Sequence, residues 1–356
     1  MRSEYRRILA ALLAVLLMMG LPACGDDDDP TSPTPGFDGV AAVASAGDTY
    51  FTAYTRPDGG PINIGAQALY DTMVNKGPSS VYFVVDWRSQ THYDAGHIEG
   101  AIRMDLSTLI DNLDQFPTDK VILNVCYSGQ TASTATVVLN LLGADMGFNA
   151  SNLTFGMHGW TYQGNSALLG STSNYPMEDD WVSRFETTNN EKPAAGSLPT
   201  FETTASSRRE VLIERARMYL AGQLNGIGTG WNRISDDALW DELFVSGHAG
   251  DWFIVNYFPS TNYDAGHIPG AVRYGPKADL QTTTFLKTLP TNKKIAVYCW
   301  TGQTSAQVAT YLSMLGYEAY SLLYGVQDLC YNVDGINDHA FVGITDPEGA
   351  YPVVTD

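Results

Sequence analysis

The chain has 356 residues, 44% of them hydrophobic, which is more than one ordinary domain needs and enough to build the cores of two. Its formal net charge of -19 argues against nucleic acid and against anionic lipid surfaces, since both are bound through basic patches that release counterions.

The chain opens with Arg2, Arg6 and Arg7 ahead of an apolar run, 8–17, that closes on Leu21-Pro-Ala-Cys24. A basic start, an apolar centre and a small-residue end make residues 1–23 a processing signal rather than part of the fold. The segment resembles the lipobox of bacterial lipoproteins, which implies cleavage before Cys24 and a lipid on its thiol. An ordinary secretory signal is the plainer alternative. It is disfavoured because an acidic, Pro/Thr-rich stretch, 24–36, follows at once and suits a tether that cannot collapse. The expected localisation is therefore export, with a lipid anchor holding the protein to a bacterial membrane on the periplasmic or cell-surface side.

From there the chain writes one pattern twice. Ile64-Gly-Ala-Gln-Ala-Leu-Tyr-Asp71 returns as Ile234-Ser-Asp-Asp-Ala-Leu-Trp-Asp241, and Tyr93-Asp-Ala-Gly-His-Ile-Glu-Gly-Ala101 as Tyr263-Asp-Ala-Gly-His-Ile-Pro-Gly-Ala271, both at an offset of 170 residues. Cys126-Tyr-Ser-Gly-Gln-Thr-Ala132 returns as Cys299-Trp-Thr-Gly-Gln-Thr-Ser305 at an offset of 173. Matches in one order at nearly one offset mean two copies of a domain.

The first copy, 37–176, predicts a helix over 65–75, a strand over 81–85, the Tyr-Asp-Ala-Gly-His loop, and a strand over 121–125 that feeds Cys126. A helix over 131–142 follows with Gly143 as its C-cap, then another short strand. A linker, 177–207, rich in polar residues and without apolar period, leads to the second copy, 208–330. There the same order predicts a helix over 235–246 capped by Ser235, strands over 252–255 and 295–298, and a helix over 304–315 ending at Gly316. The tail, 331–356, is expected to wrap irregularly. Strands alternating with helices give an α/β fold, two tandem domains each with a mostly parallel sheet flanked by helices and joined by right-handed connections.

With Cys24 set aside, Cys126, Cys299 and Cys330 remain, an odd number in an exported chain, so a disulfide framework is improbable. A loop leaving the end of a parallel strand and entering a helix aims several backbone N–H groups at one spot, and the helix dipole adds positive potential. A cysteine at the start of that loop is biased toward thiolate. Gly129 and Gly302 suit a loop that closes on its own first residue and needs positive φ. Thr131 and Thr304 are candidate helix caps. A lone cysteine after an apolar strand is as often an inert small hydrophobe. Two in one frame shift the balance toward chemistry.

Val84-Val-Asp86-Trp-Arg88, the His97 loop and the Cys126 loop together resemble the rhodanese (sulfurtransferase) family, over 62–163 and again over 233–329. The resemblance implies an enzyme of the thiosulfate sulfurtransferase type. It would move sulfane sulfur from a donor such as thiosulfate, 3-mercaptopyruvate or a polysulfide to a thiol or cyanide-like acceptor through a cysteine persulfide, with no metal or organic cofactor. Carried over by position, Cys126 and Cys299 are the nucleophiles. Tyr127, Ser128, Gly129, Gln130 and Thr131, and likewise Trp300, Thr301, Gly302, Gln303 and Thr304, form the loops whose amides hold the transferred sulfur. Asp86, Arg88, His97 and His267 are structural braces.

Two departures stand out. Asn256-Tyr-Phe258 replaces Asp-x-Arg in the second copy, and neither loop contains Arg or Lys, which disfavours thiosulfate as the physiological donor. A Cys-x5-Arg phosphatase needs arginine where Ala132 and Ser305 stand. A thioredoxin-type enzyme needs a second cysteine where Gly129 stands, and no zinc-ligand spacing is present. The remaining rival is a lipid-anchored, non-catalytic sulfur-binding or protein-interaction scaffold. Cys330 is read as a semi-buried thiol, with a sharper alternative in which it resolves Cys299.

Overall fold

The computed structural model of the chain describes residues 36–172, 176, 179, 181–224, 232–331 and 333–355. The expected signal over 1–23, Cys24 and the expected tether up to residue 35 lie outside them. Its first copy contains α1 (Gly39–Ala53), β1 (Asn63–Ile64), α2 (Ala66–Lys76), β2 (Tyr82–Asp86), α3 (Gln90–Ala95), β3 (Ile102–Arg103), β4 (Val121–Val125), α4 (Gln130–Met146) and β5 (Asn149–Leu153). The second repeats the order as α5 (Arg208–Leu220), β6 (Arg233–Ile234), α6 (Asp236–Trp240), β7 (Trp252–Asn256), α7 (Ser260–Ala265), β8 (Val272–Arg273), β9 (Lys294–Tyr298), α8 (Gln303–Leu315) and β10 (Ala319–Leu322).

Each copy builds a five-stranded sheet, in the orders β1-β5-β4-β2-β3 and β6-β10-β9-β7-β8, and every pairing is parallel. A parallel sheet is covered on both faces, so its centre carries near-continuous apolar runs. Val121-Ile-Leu-Asn-Val125, buried at every position, is such a centre. Both cysteine strands, β4 and β9, occupy the middle of their sheets, with the cysteine immediately beyond the strand's carboxyl end.

α4 and α8, the helices that follow the cysteines, pack directly against each other. Across the contact Gln307 Nε2 of α8 donates to Ser133 Oγ of α4 at 3.4 Å, and Thr134 Oγ1 meets Thr310 Oγ1 at 3.3 Å. α1 and α5 flank this pair and occupy corresponding places in the two copies. Val43, Gly47, Tyr50 and Phe51 of α1 are buried, as are Leu212, Ala216, Tyr219 and Leu220 of α5. One apolar core runs through both copies, from Val43 and Leu139 to Tyr311 and Ala319.

Several boundaries differ from the expectation. α4 continues past Gly143 to Met146, and Gly147 is the left-handed C-cap at φ 80°. Gly143 is a close-approach residue instead, because a Cβ there would stand 2.5 Å from the Phe148 carbonyl oxygen. Neither Thr131 nor Thr304 caps a helix. The N-caps are Gly129 and Gly302, left-handed at φ 82° and 77°, and they make no side-chain cap bond. Ser235 does cap α6, accepting from Ala238 N at 3.2 Å, but after Trp240 the helix widens into a π turn, Asp241–Val245.

The linker and the tail act as straps. Glu186 in the linker pairs its backbone with His267, both bonds within 3.0 Å, and Val354 in the tail does the same with His97. Each copy's His loop is thus held by the segment that follows the other copy. Among the described residues no helix is long and apolar enough to cross a membrane.

Candidate active site

Cys126 and Cys299 occupy the same place in their copies, at the carboxyl end of a central strand and six residues before a helical N–H that each sulfur accepts. Ala132 N lies 3.3 Å from Cys126 Sγ, and Ser305 N lies 3.3 Å from Cys299 Sγ. These amides belong to the residue just past the loop positions singled out from the sequence. Ser305 Oγ adds a second polar neighbour to Cys299 at 3.5 Å and is itself bonded to Ser321 Oγ.

The loops are shaped from behind. Met157 N and His158 N donate to the carbonyls of Cys126 and Tyr127, while Val326 N and Gln327 N donate to those of Cys299 and Trp300. In a trans peptide the carbonyl and the following N–H point opposite ways. Holding these carbonyls outward therefore turns the next N–H groups to the other side of the loop. Gly156 and Gly325 allow the approach, since a Cβ would stand 2.3 Å from the Cys126 oxygen or 2.1 Å from the Cys299 oxygen. The repeated pairs Phe155-Gly156 and Tyr324-Gly325 were the available signal for this role.

The loop side chains divide their work. Tyr127 reaches outward, its hydroxyl 2.6 Å from His92 Nδ1 and within reach of the Ser89 backbone N–H. Trp300 stacks on Phe258 with ring centres 5.2 Å apart and packs against His339. Gln130 and Gln303 turn toward the opposite copy. Gln130 donates to Ser128 Oγ in its own loop and accepts from Tyr324 N at 3.2 Å, and Gln303 donates to Thr301 Oγ1 and accepts from Phe155 N at 3.1 Å. A Cβ on Gly129 would stand 2.5 Å from Gln303 Oε1, and one on Gly302 would stand 2.6 Å from Gln130 Oε1. Each cysteine loop is thus fastened to the turn that backs the other. Thr131 is buried in the first turn of α4, and Thr304 lines a cavity beside Cys299.

Asp86 and Arg88 form a fully buried ion pair, with Nη2 to Oδ2 at 2.6 Å, and Arg88 also donates to the carbonyls of Leu168 and Gly96. In the second copy Asn256 does smaller work with the same geometry, donating to Tyr298 OH and accepting from Phe258 N. His97 and His267 each bond the carbonyl of the tyrosine four residues earlier and stack on its ring. Cys330 sits in the second copy's apolar core, where burial, with Asp179 second, pushes its thiol up to about 12. At neutral pH it is protonated and a poor nucleophile.

Cations missing from the loops come from elsewhere. The guanidinium of Arg233, on β6 of the second copy, interacts electrostatically with Cys126 of the first, and burial pushes its pKa down. Lys277 lines the cavity beside Cys299, together with Tyr54, Tyr257, Pro276, Trp300 and Thr304, in a volume of about 160 Å³. Arg233 stands where the first copy has Asn63, a visible asymmetry in the repeat, whereas Lys277 lies in a variable segment with no sequence signal. No group of three or more His, Cys, Asp or Glu residues that could hold a metal exists among the described residues.

The rhodanese-like domain family matches the chain twice, at 66–163 and at 246–332. Among curated proteins, the thiosulfate sulfurtransferase GlpE of Pseudomonas entomophila is 35% identical over 89 residues, which cover 23% of this chain and 80% of that one. Among solved structures, a rhodanese-like domain protein from Staphylococcus aureus is 27% identical, covering 29% of this chain and 93% of its own, with a TM-score of 0.24. A thiosulfate sulfurtransferase from Pseudomonas aeruginosa is 15% identical, covering 89% of this chain and 49% of its own, with a TM-score of 0.28.

Proposed function

Because this chain belongs to the rhodanese-like domain family, we propose that it transfers sulfane sulfur through a persulfide on Cys126, on Cys299 or on both. A cysteine thiolate attacks the sulfane sulfur of the donor, forming a new S–S bond while the donor's own bond to that sulfur breaks and its electron pair leaves with the remainder. An acceptor nucleophile, a thiolate or a cyanide-like anion, then attacks the outer sulfur and releases the cysteine thiolate. Both resting states of the cysteine, thiolate and persulfide, carry negative charge on sulfur, so the site's task is to hold a sulfur anion.

The observation that carries this reading is the duplicated placement of each Sγ at a helix start, accepting a backbone N–H at 3.3 Å. The test is a screen of thiosulfate, 3-mercaptopyruvate, polysulfide and glutathione persulfide on Cys126→Ser and Cys299→Ser proteins. A gain of about 32 Da, one sulfur atom, on the remaining cysteine is expected, with thiocyanate formed when cyanide is added. Near-complete burial of both thiols, at 1% and 3% exposure, favours the scaffold reading. No adduct and no thiocyanate from any donor, together with stable binding of a partner protein by the double Cys→Ser form, would favour that reading.

We propose further that the protein is exported and anchored by a lipid on Cys24. The Leu-Pro-Ala-Cys24 ending of the leader and the acidic tether behind it support this. Incorporation of labelled palmitate into the wild type and its loss in Cys24→Ala is the expected result.

A further inference from the structure

Five non-glycine residues among those described hold positive φ: Tyr54, Phe155, Asn232, Lys277 and Tyr324. Such backbone costs free energy and persists only where surrounding contacts over-determine it, which is commonest at functional sites. Phe155 and Tyr324 offer the N–H groups that the two crossing glutamines accept. Tyr54 and Lys277, far apart in sequence and from different copies, wall the same cavity at Cys299.

Both are fastened in place. Tyr54 ends α1 at φ 47°, and its hydroxyl donates to Gln307 Oε1 of α8 at 2.8 Å. Lys277 sits at φ 68°. Its N–H donates to the Tyr257 hydroxyl at 3.2 Å, and its carbonyl accepts from Gln281 Nε2 at 2.7 Å. The nearby carboxylate of Asp279 is already taken by Lys192 at 3.0 Å and by Gly275 N at 2.7 Å. The Lys277 side chain is exposed and makes no ion pair among the described residues. The first copy has no counterpart: after β3 it continues with Met104 and Asp105, and Asp105 pairs with Arg103.

We propose that this cavity is an anion seat serving Cys299 alone, with Lys277 as its specificity-determining cation and Tyr54, contributed by the other copy, as its aromatic wall. A volume of about 160 Å³ holds about five waters, so the seat fits a compact anion rather than a peptide-sized one. The rings of Tyr54, Tyr257 and Trp300 keep part of the water away, which strengthens a charge contact. The need for a local cation follows from the net charge of -19, which repels anions at long range. On the sulfur-transfer reading above, the seat selects donors that carry compact negative charge beside the sulfane sulfur.

The test uses the full chain and an unreactive probe. Iodoacetamide, a neutral alkylator, is reacted with the protein in increasing sulfate, and modification of the Cys299 peptide is timed by mass spectrometry. Sulfate is expected to slow alkylation of Cys299 in the wild type. Lys277→Gln should need roughly fivefold more sulfate for the same protection, the effect of one screened charge contact, and Lys277→Arg should restore it. Equal protection of wild type and Lys277→Gln, or no protection of the wild type, overturns the seat. Because sulfate transfers no sulfur, Lys277-dependent protection in a protein that no donor charges would sink the sulfur-transfer reading and leave the seat standing.

Discussion

A Cβ on Gly325 would stand 2.1 Å from the Cys299 carbonyl oxygen and 2.8 Å from Gly302 N, both backbone atoms that cannot swing aside, and φ there is 62°. Gly270 has a similar φ, 77°, with nothing within 4 Å of a built Cβ. Ala at Gly270 is therefore expected to cost only the left-handed penalty, about 1–2 kcal/mol in urea unfolding. Ala at Gly325 should cost more than about 2 kcal/mol and should also lower sulfur loading of Cys299, because the loop must shift to accept it. Equal costs for the two substitutions would show that the loop is not shaped from behind. The cysteines and the loop glycines were legible in sequence because they repeat in one frame. The amides of Ala132 and Ser305 were not, since any residue but proline supplies an N–H and only the helix geometry aims it.

At the scale of elements, the straps carry the least obvious chemistry. Burial raises the Glu186 carboxyl, but the Gly270 N–H, the Asn190 amide and His267 outweigh it and hold its pKa below the ordinary carboxylate value of 4.5. A carboxyl whose folded pKa is depressed lends stability that is present above its unfolded pKa and lost as pH falls through the folded one. Hydrogen-exchange protection over 185–190 and at His267 is thus expected to be constant near neutrality and to fall below pH 4.5. Glu186→Gln should lower the neutral-pH protection and flatten the acid dependence. An acid dependence unchanged by this substitution would locate the sensitive group elsewhere. The linker's lack of apolar period is a local property, whereas its pairing with the second copy's His loop depends on partners about 80 residues away, which local pattern does not encode.

In the whole molecule the exchange between copies recurs at every level. The straps cross, Gln130 and Gln303 cross, Tyr54 enters the Cys299 cavity, and Gln307 accepts from both Tyr50 and Tyr54 while donating to Ser133. From Asp38 to Asp356 the chain is one compact unit with a core shared by both copies. Heat or urea is therefore expected to unfold it in one transition, with calorimetric and van't Hoff enthalpies equal. A fragment of residues 37–176 should fail to fold alone, because it would expose the faces of α1 and α4 that the second copy covers. Two separate transitions, or a folded fragment, would contradict a shared core.

Taken alone, the sequence determined that there are two copies, that each is an α/β unit with a cysteine at a strand-to-helix turn, and that the Asp86–Arg88 pair belongs to the first copy alone. These are properties of local pattern and of repetition. Tertiary structure alone decided that the cysteine helices pack on each other, that the glutamines of the loops serve the opposite copy, and that a lysine at positive φ outside both loops lines the cavity at one of the two thiols. Each of those depends on where a long-range contact places a side chain, and the free energy that fixes it is spread over residues from both ends of the chain.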